Sequence, residues 1–134
     1  MYDSDDFEKL DLRTENIARE IVDSAIRVHK QMGPGLLESI YETCMTHELK
    51  SKGFVVERQK QISLKYGNIV LEEYLRLDML IEGKIIIEIK SAEKSHAVWK
   101  AQLLSYLKLT DNRLGFLLNF NVPLMKHGIR RFIK

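Results

Sequence analysis

Two hydrophobic periodicities divide this chain into helical and extended parts. Apolar residues recur at three- and four-residue spacing from Ile17 to Met32, and again over about Leu36 to Lys52. This spacing predicts two amphipathic helices. Thr14 is expected to cap the first helix, Gly33-Pro34-Gly35 to end it, and Gly53 to end the second.

The second half of the chain reads mainly as strands around one further helix. The pattern from Phe54 to Lys90 is typical of extended structure, with Gly67-Asn68 suited to a tight hairpin turn. A third helix is predicted from Ser95 to about Thr110, followed by the apolar strand Leu114 to Leu118 and, after Pro123, an edge strand or short tail. This order predicts an α/β (α+β) fold in which a mixed central sheet is flanked by helices.

Composition indicates a globular protein. The chain has 134 residues, of which 45% are hydrophobic and 30% charged; we expect one domain over 1–134. No apolar run is long enough to cross a bilayer, and the acidic start, Met1 to Asp6, does not resemble a secretory signal. The single cysteine, Cys44, suits a reducing compartment. We therefore expect no membrane association and a cytoplasmic location.

The net charge of the chain does not identify a binding partner. A formal charge of +2 is compatible with nucleic-acid binding only if the positive groups cluster. Five basic residues do lie close together near the C-terminus: Lys126, His127, Arg130, Arg131 and Lys134. A solvated, charged edge strand would explain them equally well.

The strongest chemical signal is a pair of acidic residues placed symmetrically about a glycine. Asp78 and Glu88 each lie five positions from Gly83. A hairpin turning at Glu82-Gly83-Lys84 would place the two carboxylates across from each other, with Cβ atoms roughly 5 Å apart. Because two carboxylates so close repel each other among apolar strands, a bound divalent cation would resolve the conflict.

The neighbouring residues extend this pair into a reactive patch. Strand alternation sends Glu88 and Lys90 to one face, together with Arg76 and Asp78. The isoleucines between them indicate a central strand covered on both sides, where an unpaired charge is costly. Carboxylate oxygens suit Mg²⁺ or Mn²⁺, and the lysine could help deprotonate water or balance charge on a phosphate under attack.

Three helical residues are further candidates for the same site. Glu38 lies in a partly apolar stripe of the second helix, and Gln102 and Tyr106 lie four residues apart on the third. Glu38 supplies another carboxylate, and the other two can donate hydrogen bonds. Each has a plainer interpretation: a surface charge for Glu38, and ordinary packing with polar tips for the pair.

These residues resemble those of a known family. Gly35-Leu36-Leu37-Glu38-Ser39-Ile40-Tyr41 is similar to the Gly-x-x-Glu-x-x-Tyr signature, and Asp78 with Glu88-Ile89-Lys90 resembles the metal-binding core of the PD-(D/E)XK nuclease superfamily. Gln102 to Tyr106 is similar to the Gln-x-x-x-Tyr motif of its exonuclease-like branch. The resemblance covers roughly Ile17 to Phe120, although Leu77 stands where the superfamily's proline would precede the aspartate.

The resemblance implies a restriction-endonuclease-like fold and a Mg²⁺-dependent (or Mn²⁺-dependent) deoxyribonuclease that hydrolyses DNA with a metal-activated water. Glu38, Asp78 and Glu88 would be metal ligands, Lys90 the catalytic lysine, and Gln102 and Tyr106 the groups that orient the site or contact phosphate. The alternative is a non-catalytic nucleic-acid-binding or assembly module on the same fold. A chain this short would act on DNA as a homodimer or beside a partner protein.

Overall fold

The computed structural model describes residues 9–134; the acidic start, Met1 to Asp6, lies outside the described residues. The described helices and strands, in chain order, are α1 (Leu12–Met32), α2 (Glu38–Ser51), β1 (Val56–Tyr66), β2 (Ile69–Ile81), β3 (Ile85–Lys90), α3 (Ala97–Thr110), β4 (Leu114–Asn119), a short 3₁₀ helix (Met125–His127) and β5 (Ile129–Ile133). The predicted mixed sheet between helices is confirmed.

The five strands form one sheet in the order β1-β2-β3-β4-β5. The β3 and β4 strands pair in parallel, with α3 as the connection between them, and the other neighbours pair antiparallel. The apolar runs Ile85–Ile87 and Leu114–Leu118 are buried throughout. Both runs lie on inner strands that are covered on two sides, as continuous apolar strands require.

Helices cover the two faces of the sheet. One core packs α1 and α2 against residues such as Met79, Ile87 and Phe116. The other packs Leu103 and Leu107 of α3 against the opposite face. Among the described helices, none combines the length and the apolar character that a membrane span requires.

The helix ends differ slightly from those predicted. The α1 N-cap is Asp11, whose Oδ1 accepts a hydrogen bond of 2.6 Å from the Thr14 backbone N–H. The predicted cap, Thr14, is wrong: Thr14 lies within the first turn of α1 and donates its backbone N–H to the cap, although both residues suit the role by type. The helix α2 begins at Glu38 and ends at Ser51, and α3 begins at Ala97.

A two-stranded arm projects from the sheet. The β3 strand pairs only with Met79–Ile81 of β2, whereas β1 pairs with β2 from Tyr66↔Ile69 to Val56↔Ile81. The outer part of the β1–β2 hairpin, which we call the arm (residues 59–77), therefore extends past β3. Its tip is exposed: Tyr66 retains 78% of its accessible surface.

The loop before α2 is held by a buried tyrosine. The Tyr41 hydroxyl donates to the Gly33 carbonyl at 2.6 Å and accepts from the Leu36 backbone N–H at 3.0 Å. The ring stacks on Phe120 with centroids 4.3 Å apart. Because the loop leads directly into Glu38, Tyr41 fixes where the first residue of α2 stands.

We predict that Tyr41→Phe destabilises the protein. Loss of the hydroxyl leaves a carbonyl and an N–H of this loop without their partner, which should lower the free energy of unfolding by about 1–3 kcal/mol. Urea denaturation checks this, with Tyr66→Phe at the exposed arm tip as the control. Equal stability of the two variants would contradict the role assigned to the Tyr41 hydroxyl.

Candidate active site

The sheet divides at Asp78 and Glu88. Backbone pairing between β2 and β3 stops at Met79↔Ile87, one residue before these two would face each other. The Asp78 backbone N–H instead donates to Glu88 Oε2 at 2.8 Å, and the Ile89 backbone N–H donates to Asp78 Oδ2 at 2.8 Å. Side-chain carboxylates thus accept these backbone N–H groups, and the backbone pairing of β2 with β3 does not continue beyond this point.

The turn predicted at Gly83 sets this register. The Lys84 N–H donates to the Ile81 carbonyl at 2.9 Å, and Glu82 and Gly83 both have positive φ. Glu82 is kept in this unusual conformation by its contacts: its backbone N–H donates to the Val55 carbonyl and its Oε2 accepts from the Val55 N–H. The turn therefore places Asp78 and Glu88 at corresponding positions of β2 and β3.

Side-chain alternation along β2 is interrupted at the aspartate. Leu77 and Leu80 pack in the same core against α3, although they are three positions apart, whereas Met79 packs against α1 and α2. On the neighbouring strand, Gln59 lies across from Asp78 and has a φ of 47°. Backbone strain of this kind in a non-glycine residue is concentrated at functional sites.

A buried glutamate of α2 adds a third carboxylate to Asp78 and Glu88, and the three together are called the acidic group. Glu42 is 6% exposed, and both of its oxygens are bound: Oε2 accepts from Arg58 Nε at 2.9 Å and Oε1 from Gln59 Nε2 at 2.7 Å. Glu42 is not among the site residues predicted from the sequence. A signal was available, because Glu42 lies four residues after Glu38 and so on the same face of the helix.

Burial and mutual repulsion keep Asp78 and Glu88 from ionising freely. Burial, the Asp78 carboxylate and, to a lesser degree, Glu42 raise the pKa of Glu88 to about 8. Burial and Glu42 also raise the pKa of Asp78, against the hydrogen bond from Ile89 and the charge of Lys90. Without a cation, the pair therefore carries a proton at neutral pH.

Lys90 is the nearby positive charge. It follows Glu88 by two positions, and its charge opposes the upward pKa shifts of both Asp78 and Glu88. Its Nζ lies 5.3 Å from the centroid of the Trp99 ring at the start of α3. A cation above an aromatic face is held without being neutralised. The Lys90 ammonium therefore stays available to a negative group other than the Asp78 and Glu88 carboxylates.

All six sequence-predicted site residues line one cleft of about 700 Å³, where β2 and β3 separate. Glu38 is exposed at the α2 side, and Gln102 and Tyr106 lie at the α3 side. Burial and the charges of Glu88 and Asp78 raise the pKa of the Tyr106 hydroxyl. The roles of these residues stay predictions.

The donor set fits a hard cation that keeps water ligands. Asp78 and Glu88 each use one oxygen for a backbone hydrogen bond, which leaves Asp78 Oδ1 and Glu88 Oε1 as the oxygens that could bind a cation. Within residues 9–134, no three His, Cys, Asp or Glu side chains converge as a ready-made site. Mg²⁺ commonly binds through one or two carboxylates and several waters, so the pair is sufficient.

The C-terminal basic cluster does not form one open patch. Arg131 pairs with Glu15, Lys134 pairs with Asp111 at 2.8 Å, and the Arg130 guanidinium lies over the Phe132 ring. Part of this charge is therefore bound within the protein.

Comparison with known proteins agrees with this geometry. Residues 15–132 match the family model of the PD-(D/E)XK nuclease superfamily. This match spans nearly the whole chain, and the protein therefore belongs to that superfamily, with the restriction-endonuclease-like fold. Searches among curated proteins and among solved structures gave no match.

We predict that Glu88→Gln stabilises the metal-free protein in a pH-dependent way. Between pH 4.5, the ordinary pKa of a glutamate, and about 8, the unfolded chain releases the Glu88 proton while the folded chain keeps it. Folding stability is therefore lost as pH rises through this window. Glutamine has no proton to lose and can still accept the Asp78 N–H.

The measurement is the free energy of unfolding in EDTA at pH 5 and at pH 8. The advantage of Glu88→Gln over the parent should grow between the two by an amount on the order of a few kcal/mol. Glu72→Gln, at an exposed position of the arm, controls for the loss of one negative charge. An advantage that does not change with pH would contradict the assigned protonation.

Proposed function

We propose that this protein is a metal-dependent nuclease that hydrolyses DNA phosphodiester bonds, with Mg²⁺ or Mn²⁺ as the cofactor and water as the nucleophile. The observation that carries the proposal is a pair of hydrogen bonds, from the Asp78 N–H to Glu88 and from the Ile89 N–H to Asp78, which hold a buried and a half-buried carboxylate together in an open cleft. Membership of the superfamily implies a nucleic-acid substrate, and the Gly-x-x-Glu-x-x-Tyr signature supports that type within it.

The carboxylates would hold the cation, which when bound lowers the pKa of water and offsets phosphate charge. Asp78 and Glu88 are the central ligands, and Glu38 reaches the same cleft from the start of α2. The backbone N–H bonds fix one oxygen of each central carboxylate and so orient the other. The ligands are thus prepared before the cation arrives.

The other residues act on the substrate. Lys90 places a positive charge beside the carboxylates, where it can stabilise the charge that develops on the phosphate or take part in proton transfer from water. Gln102 and Tyr106 line the opposite wall from α3 and can donate hydrogen bonds to phosphate oxygens. The pKa of a tyrosine is already well above neutral and that of Tyr106 is raised further, so its hydroxyl is protonated and able to donate.

We expect the variants Asp78→Ala, Glu88→Ala and Lys90→Ala each to cut DNA at least about 100-fold more slowly than the parent. The assay uses purified protein with single- and double-stranded DNA in Mg²⁺, Mn²⁺ or EDTA. Asp23→Ala and Lys50→Ala, at exposed positions of α1 and α2, are the matched controls. Parent-like cleavage by all three site variants would overturn the proposal.

Measurements of metal binding should distinguish a proposed metal ligand, Asp78, from the catalytic lysine, Lys90. In a calorimetric titration with Mn²⁺, Asp78→Ala is expected to lose the binding isotherm because it removes a central ligand, whereas Lys90→Ala keeps it. Loss of binding in Lys90→Ala alone would contradict these roles. Metal-independent DNA binding without cleavage by the parent would favour the non-catalytic module instead.

A further inference from the structure

The surface beyond the carboxylates carries two residues that the roles above leave unused. Tyr74 and Arg76 precede Asp78 on β2 by four and two positions, and Arg76 lines the same cleft. Tyr74 and Arg76 are alternate residues of β2 on the arm side of the interruption at Asp78, so they share a face of the strand. The Arg76 Nη2 lies 3.5 Å from the Tyr74 hydroxyl, so the two side chains are neighbours on the arm.

Arg76 is placed to receive a phosphate. The described residues that line the cleft include four acidic side chains and only two basic ones, Arg76 and Lys90. A nucleic-acid strand entering this cleft must meet positive charge outside the carboxylates. Among residues 9–134, Arg76 forms no ion pair, and its guanidinium is exposed and free to bind phosphate oxygens in a bidentate manner.

Tyr74 supplies an aromatic surface next to that charge. It is 46% exposed, on a part of β2 that pairs with β1 and not with β3. Exposed rings beside a basic group are the usual platform on which unpaired bases stack. Tyr66 is more exposed still, but it lies at the arm tip, paired with Ile69, whereas the Tyr74 hydroxyl lies beside Arg76, which lines the cleft.

We propose that Tyr74 and Arg76 form a subsite for one unpaired nucleotide next to the scissile phosphate. Arg76 binds the adjoining phosphate and the Tyr74 ring stacks on the base. Because bases within a duplex are already stacked on one another, the subsite selects a single strand or a frayed end. This inference rests on the proposed function and extends it to the substrate class.

Binding to labelled DNA tests the base contact. Fluorescence anisotropy in EDTA compares a short single strand with a blunt duplex that contains the same sequence, so that cleavage does not interfere. Tyr74→Ala should weaken single-strand binding by about tenfold and leave duplex binding unchanged. Tyr74→Phe should bind like the parent because it keeps the ring, and Tyr66→Ala is the control for an exposed tyrosine of the arm.

Three results would overturn the inference. They are single-strand binding by Tyr74→Ala equal to that of Tyr66→Ala, an equal loss of duplex binding in Tyr74→Ala, and no measurable binding of single strands by the parent. A loss in Tyr74→Phe would also count against stacking. Thermal melting of each variant confirms that the fold is retained.

Salt dependence tests the phosphate contact. Arg76→Gln should reduce the slope of log affinity against log salt concentration for the single strand by about 0.7, as expected for one fewer neutralised phosphate. Arg19→Gln, an exposed arginine of α1, is the control and should leave the slope as in the parent. An unchanged slope in Arg76→Gln would remove Arg76 from the subsite.

The outcomes separate this inference from the proposed function. If the parent cleaves DNA while the Tyr74 and Arg76 variants bind like it, the subsite fails and the nuclease stands. If the parent never cleaves but binds single strands through Tyr74, the subsite stands and the catalytic proposal fails.

Discussion

Two hydrogen bonds decide the shape of this protein around its cleft. In an ordinary antiparallel pair, a backbone N–H that faces the neighbouring strand donates to a carbonyl of that strand. Here the carboxylates of Glu88 and Asp78 accept the N–H groups of Asp78 and Ile89 instead. The backbone groups remain satisfied, as burial demands, but the strands no longer need to run side by side. The sheet can therefore open without leaving unpaired polar groups.

This arrangement costs stability, and the surrounding core offsets the cost. A buried carboxylate pair is unfavourable because each charge is desolvated and faces the other. The pair lies between two apolar layers, with Ile87 and Ile89 packed toward α1 and α2 and Ile86 toward α3. Glu42 adds negative charge, but Arg58 pairs with it directly. The repulsion between the Asp78 and Glu88 carboxylates thus remains, and a bound cation would relieve it.

The sequence predicted the parts of the site that depend on local periodicity. The equal distance of Asp78 and Glu88 from Gly83 predicted their register in the hairpin. Alternation along β3 correctly predicted that Glu88 and Lys90 lie on one face of the strand and Ile87 and Ile89 on the other. The position of Gln59 could not be predicted, because its positive φ follows from contacts with residues distant in sequence. Arg58 and Gln59 both bond to Glu42, which regular alternation would not allow.

The same separation of strands links the cleft to the arm. Once β2 leaves β3 at Asp78, its outer residues have only β1 as a neighbour, and the side chains facing the opening stay exposed. On the opposite side, the Tyr41 hydroxyl holds the loop that brings Glu38 to the rim. A ladder that continued past Asp78 would close the cleft and bury the arm in the sheet. Asp78 and Glu88 therefore determine both where chemistry could take place and how a nucleic-acid strand could reach that place.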